Sequence, residues 1–252
     1  MKKHAEPKAI ATLLLTCGLA VGQQLPSGTV LPVLLSSTLD VRHAKPGDGV
    51  SGKIMQDVLL PNGARILRGT KIIGHIVKAQ PASANSPSQL ILKFDYLVQK
   101  GRNIPIESTV RAIASVTEVY EARMPTNAWD DYGTSPSDWN TVQIGGAGVY
   151  RGDSEVVQGD QIVGRATDYG AVSAKLIAAP ERGCPNASER EQALWKFSPW
   201  ACGAYGLSDL TIVRSAEGDA TGEIALHSSR DIRIAGGSGW LLRVAAPAQA
   251  AP

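Results

Sequence analysis

The sequence predicts an all-β fold: an antiparallel β-barrel built from both ends of the chain, with a disulfide-closed insertion carrying one short helix. Three observations predict it. Short apolar strings punctuated by Gly, Pro and Asn fill residues 28–77, and the same grammar returns in residues 210–244. Between about 124 and 206 the character changes: four of the five tryptophans and two of the three cysteines lie there.

The elements follow in order. In Val50 to Val58 the apolar positions Val50, Gly52, Ile54 and Val58 alternate with Ser51, Lys53 and Asp57, the period of a half-buried strand. Pro61-Asn62-Gly63 follows Leu59-Leu60 and predicts a hairpin, because Asn and Gly tolerate positive φ. Ala79 to Ser88, rich in Ala, Ser and Pro, has no periodicity and predicts an exposed loop between strands. Leu90, Leu92, Phe94, Tyr96 and Val98 are expected to share one strand face, with Lys93 and Asp95 on the other. Ser188 and Glu191 have the spacing of a capping box, which predicts a helix through Gln192, Leu194 and Trp195 that stops before Pro199. Strands then return as LTIV (210–213), EIALHS (223–228), DIRIAG (231–236) and GWLLRV (239–244).

Residues 1–22 are read as a signal peptide. Lys2, Lys3 and Lys8 precede an apolar run, Ala9 to Val21, that suits a secretory leader and is shorter than the ~20 residues needed to span a bilayer. Ala20-Val21-Gly22 offers small residues for cleavage, so the mature chain is expected to start near Gln23, with no transmembrane segment, in the periplasm or beyond. The rival reading takes Leu14-Leu15-Thr16-Cys17 as a lipoprotein box and anchors the protein through Cys17. Residues 1–22 carry three lysines and one glutamate, so the remaining chain is formally neutral. Neutrality without basic clusters argues against nucleic acid as a partner.

Two cysteines, Cys184 and Cys202, remain after the leader, and in an exported chain they are expected to pair. Such a bond is worth about 3 kcal/mol in the chain-entropy account. The other reading is two buried thiols. The expected organisation is a barrel from 23–123 and 207–246, a Trp-rich insertion at 124–206, and a disordered tail at 247–252.

Strings 28–40 and 50–77 resemble the barrel of TrbI-like proteins, the envelope-spanning scaffold of conjugation and type IV secretion machines. The matching features are Gly28, Thr29, Val30 and Pro32, a Ser-x-Leu-Asp stretch, and an apolar strand ending in Asp57-Val58. A turn at Gly63 follows, then Ile66, Gly69-Thr70 and Ile73-Gly74. LILKFDYLV and Arg102-Asn103-Ile104-Pro105-Ile106 stand where that family has its next two strands, and residues 223–244 resemble its closing strands, so the resemblance covers 28–110 and 223–244. The insertion differs, being polar and Cys-closed where that family has an apolar helical pair. The resemblance therefore implies the fold and an envelope location rather than a secretion-channel role.

Little in the chain predicts chemistry. His43, His75 and His227 have no second histidine at ligand spacing, so no metal and no cofactor is expected. Gly145-Gly146-Ala147-Gly148 follows a short strand, Val142 to Ile144, but no helix start follows, so it is read as a turn rather than a phosphate cradle. Arg151-Gly152-Asp153 is read as a chance triplet, and Asp153, Glu155 and Asp160 lack a complete calcium-loop pattern. One cluster suits recognition. Trp129, Tyr132 and Trp139 lie among Asp130, Asp131 and Asp138, where rings can stack on a sugar or fill a partner pocket and carboxylates can accept hydroxyl hydrogen bonds. Trp129, Asp130, Tyr132 and Trp139 are thus a candidate surface for an envelope protein or glycan. The alternative is that these rings form the insertion's own core with Trp195 and Trp200. The expected function is a non-enzymatic envelope scaffold or binding module. The alternatives are a polysaccharide hydrolase using Asp130, Asp131 and Asp138, which would need two carboxyl groups facing across a cleft, and a lipidated adaptor.

Overall fold

The computed structural model describes residues 24–122, 124, 141–146, 149–150, 154–158, 160–214 and 221–245. The leader with Cys17, the cluster Trp129, Asp130, Asp131, Tyr132, Asp138 and Trp139, the triplet 151–153 and the tail 247–252 lie outside the described residues.

The strands run β1 (Val30–Leu35), β2 (Leu39–Asp40), β3 (Gly49–Ile54), β4 (Val58–Leu59), β5 (Arg65–Ile66), β6 (Lys71–Gln80), β7 (Ser88–Gln99), β8 (Arg102–Pro105) and β9 (Ser108–Ala114). Helix α1 (Val116–Glu121) follows. Then come β10 (Val149–Tyr150), β11 (Glu155–Gln158), β12 (Gln161–Thr167), β13 (Ala171–Lys175), β14 (Glu191–Ala193), β15 (Gly203–Tyr205), β16 (Thr211–Val213), β17 (Glu223–Ser228), β18 (Arg233–Ile234) and β19 (Gly239–Val244). One sheet has the order β15-β9-β19-β1-β3-β6-β7-β17-β16, with β8 added on β7. Its pairs are antiparallel except β15 with β9. Because β9 approaches β17 and β15 approaches β16, the sheet nearly closes into a barrel. A second sheet, β10-β11-β12-β13-β14, comes from residues 149–193.

Both ends of the chain share the barrel interior. β1 and β19 pair in register from Val30↔Arg243 to Leu34↔Gly239. Leu31, Val33 and Leu35 point into the same core as Trp240, Leu242, Leu226 and Phe94. Phe94 meets Trp240 edge-on, with centroids 6.1 Å apart. The even positions of β1 face the other way: Val30 joins Leu241, Ala112 and Ala114 in a second core with Val156, Val172, Leu194 and Phe197. The second sheet therefore covers the outside of β1, β19 and β9. Burial on both faces explains why VLPVLL and GWLLRV read as continuous apolar runs rather than alternating ones.

Two bulges re-aim charged side chains. Ile73 faces Tyr96 but Gly74 faces Phe94, so Asp95 is the extra residue of β7. Strand parity flips there. Leu90, Leu92 and Phe94 are buried as the sequence implies, but beyond the bulge Leu97 is buried and Tyr96 and Val98 are not, which corrects the expected single face. A Cβ on Gly74 would lie 2.0 Å from the Lys93 carbonyl oxygen, so only glycine permits this approach. Asp95 instead receives His75 Nδ1 at 2.8 Å. On β9 the register steps from Leu241↔Ala112 to Leu242↔Val110, leaving Arg111 as the extra residue.

Arg111 is buried, yet among the described residues it has no ion pair. Its guanidinium donates to the carbonyls of Ala201 (2.9 Å), Asn186 (3.0 Å), Pro199 (3.4 Å) and Ile177. Burial, then the neighbouring Arg243 and Arg214, lower its pKa to about 10. These carbonyls surround the loop closed by the Cys184–Cys202 disulfide, which is present as expected, with a sequence separation of 18.

The helix is the second correction. Residues 191–193 form β14 on β13, and the Leu194 N–H continues the ladder by donating to Val172 O at 2.9 Å. Ser188 Oγ caps nothing; it donates to Arg190 O and accepts from Gln192 Nε2. The α-helix among the described residues starts at another Ser-x-x-Glu string. Ser115 is its N-cap, and its Oγ accepts from the Glu118 N–H at 3.3 Å.

Candidate functional site

The site begins with a turn. After β14 the chain leaves the sheet at Trp195, whose φ of +55° is a left-handed conformation that a bulky side chain seldom adopts. Gln143, buried between segments, holds the turn by donating from Nε2 to the carbonyls of Trp195 (3.1 Å) and Phe197 (2.9 Å). Ile144 N–H donates to Lys196 O, and Ser198 N–H returns a bond to Ile144 O, both at 2.9 Å. Phe197 is driven into the second core, where the absence of a side chain on Gly239 makes room for it beside Val119. The turn is thereby fixed against β19 and α1, and its two flanking side chains are left at the surface of a cavity.

That cavity, of about 400 Å³ and half-open to solvent, lies between α1, the β3–β4 corner and the Trp195 turn. Leu34, Ile54, Met55 and Val119 give it an apolar floor. Val116 and Tyr120, one helical turn apart, line it and stay 42% and 61% exposed. Lys53, Arg68 and Lys196 also line it, and no carboxylate does among the described residues. The Arg68 guanidinium lies 5.4 Å from the Trp195 ring centroid and the Lys196 ammonium 5.8 Å, within cation–π reach. Lys196 is itself buried and donates from Nζ to Val119 O at 3.0 Å, supplying a cation to the C-terminal end of a helix that has none of its own. Chemically the lining offers rings and methylenes for apolar contact, and cations that suit an anion.

The other sequence candidates scatter. His75 pairs with Asp95, His227 Nε2 meets Gln89 Nε2 at 3.0 Å, and His43 lies 3.5 Å from Asp40, in three separate places. Among the described residues no three His, Cys, Asp or Glu side chains gather at metal distance. Gly145 sits where a Cβ would meet Tyr205 and Ala201, so its role there is close approach, with φ +83°. Val142 and Ile144 make isolated bridges rather than a strand. Trp195 lines the groove, while Trp129, Asp130, Tyr132 and Trp139 lie outside the described residues. Sequence reasoning missed Lys53, Arg68, Tyr120 and Lys196, whose only local signal was the Trp195-Lys196 pair ahead of Pro199. No helix among the described residues is long and apolar enough to cross a membrane. Neither a family profile nor a curated protein sequence matches the chain.

Proposed function

We propose that the protein is a non-enzymatic scaffold or binding module of the cell envelope, periplasmic or exported, with a barrel similar to that of TrbI-like proteins. The observation that carries the reading is the groove at Trp195. It offers cations and apolar surface, and among the described residues its lining holds neither a carboxylate pair nor a nucleophile beside a base, which suits holding a partner. The Cys184–Cys202 disulfide supports an oxidising compartment. The shared core of the terminal strands supports the TrbI-like resemblance, which rested on those same strings.

The test is fractionation of expressing cells, with the mass of the processed N-terminus, followed by in-cell crosslinking and identification of co-purifying proteins. An envelope fraction, a chain starting near Gln23 and recovered envelope partners are expected. Type IV secretion components among them would extend the resemblance to role. A lipid-modified Cys17 would identify the adaptor instead, and an unprocessed protein confined to the cytoplasm would overturn the reading.

A further inference from the structure

We infer that the groove between α1 and the Trp195 turn holds an acidic peptide segment of a partner protein, one that alternates carboxylates with aromatic or aliphatic side chains. This deepens the binding-module reading and rests on it.

Charge gives the first reason. Lys53 and Arg68 share one lining that holds no carboxylate among the described residues, and among those residues neither side chain is in an ion pair. Carboxylates supplied by a partner complete it.

The walls give the second. Val116 and Tyr120 hold apolar surface in solvent at one helical spacing, beside Trp195 and Arg68. Tyr, Trp and Arg are the residue types that dominate binding energy at interfaces. The ring of Trp195 is presented by a strained backbone at φ +55°, and such strain persists where the surrounding structure enforces it, as at ligand clamps.

The combination selects the ligand class. A free phosphate would use Lys53 and Arg68 and leave the apolar walls in water, whereas a purely apolar helix would bring those two side chains no acceptor. Single-stranded nucleic acid could use both rings and cations. It needs a basic track along its backbone, however, and the chain after residue 22 is formally neutral. An acidic, apolar-bearing peptide uses every wall.

The experiment measures binding of the full chain, disulfide intact, to a fluorescent random copolymer of glutamate and tyrosine by anisotropy at low salt. Poly(Lys,Tyr) and oligothymidylate serve as comparison probes. The Glu/Tyr copolymer is expected to bind, and the interaction should weaken about tenfold or more in Lys53→Glu/Arg68→Glu and with rising salt. Tyr120→Ala should weaken it without altering the salt dependence. All three side chains are exposed, so unchanged melting curves confirm that the variants fold. Equal affinity of the charge-reversed variant, tighter binding of poly(Lys,Tyr), or tighter binding of oligothymidylate would overturn the inference. The measurement does not depend on where the protein resides. A cytoplasmic protein that binds the copolymer sinks only the envelope reading; an envelope protein that ignores it sinks only the groove.

Discussion

Lys196 Nζ donates to the carbonyl oxygen of Val119 at 3.0 Å, so one charge-assisted bond joins the turn after β14 to the final turn of α1. The two segments are 77 residues apart in the chain. Replacing Lys196 with Met keeps the stem volume and removes the bond. The variant is expected to lose about 2 kcal/mol of stability in urea, with faster amide exchange from Val119 to Ala122. Unchanged exchange there would show that the contact does not restrain the helix.

The left-handed backbone at Trp195 separates two substitutions that look alike. Both Trp195→Gly and Trp195→Ala remove the ring and its contacts with Arg68 and Lys196. Only glycine relieves the strain at φ +55°. The Gly variant should therefore be the more stable of the two by about 1 kcal/mol, measured as a difference in denaturation midpoint at equal slope. The reverse order would mean that the turn relaxes once the ring is gone.

Gly74 and Gly63 make a second matched pair. A Cβ on Gly74 would collide with the Lys93 carbonyl at 2.0 Å, whereas one on Gly63 meets nothing within 4 Å and suffers only its φ of +78°. Gly74→Ala is expected to cost about 3 kcal/mol or more and Gly63→Ala about 1 kcal/mol. Calorimetry that ranks the two equally would refute the close-approach account of the β7 bulge.

Asp231 gives the pH dependence. Its carboxylate accepts from Arg42 Nε at 2.5 Å and from the Ala82 N–H at 2.8 Å, tying three loops together. The Arg42 bond first, then the Ala82 bond, hold its pKa below the ordinary 3.8. A depressed folded-state pKa stabilises the fold above the unfolded value, and the contribution disappears as pH falls through the folded value. Asp231→Asn should thus lower the melting temperature at pH 7, and the gap to the parent should close below 3.8. A gap of constant size across that range would assign the loss to shape rather than charge.

Much of the barrel was legible because strand period is a local property. The Asn62-Gly63 hairpin and the terminal strings formed where their patterns placed them, whereas the strand expected over Val50 to Val58 stops at Ile54 and Val58 pairs separately with Ile66. What failed depended on a neighbour. The flip at Asp95 arises from the pairing of β7 with β6, and no reading of residues 88–99 alone contains it. Ser115-x-x-Glu118 and Ser188-x-x-Glu191 are equivalent as strings; the second became a strand edge because β13 offered its backbone a ladder. Arg111 reads as an interruption in an apolar strand, and its meaning lies in carbonyls 66 to 90 residues away. The groove is harder still, since Lys53, Arg68, Tyr120 and Lys196 come from four segments that only the packing of the second sheet and α1 brings together.

The antiparallel bond between β1 and β19 also fixes when folding can finish. β9 and β1 each need β19 between them, so a chain emerging from synthesis holds two unsatisfied sheet edges until β19 arrives. A topology that stores its decisive pairing at the greatest sequence separation folds late and slowly. During that interval VLPVLL is an exposed, adhesive segment that some escort, or rapid completion, must shield.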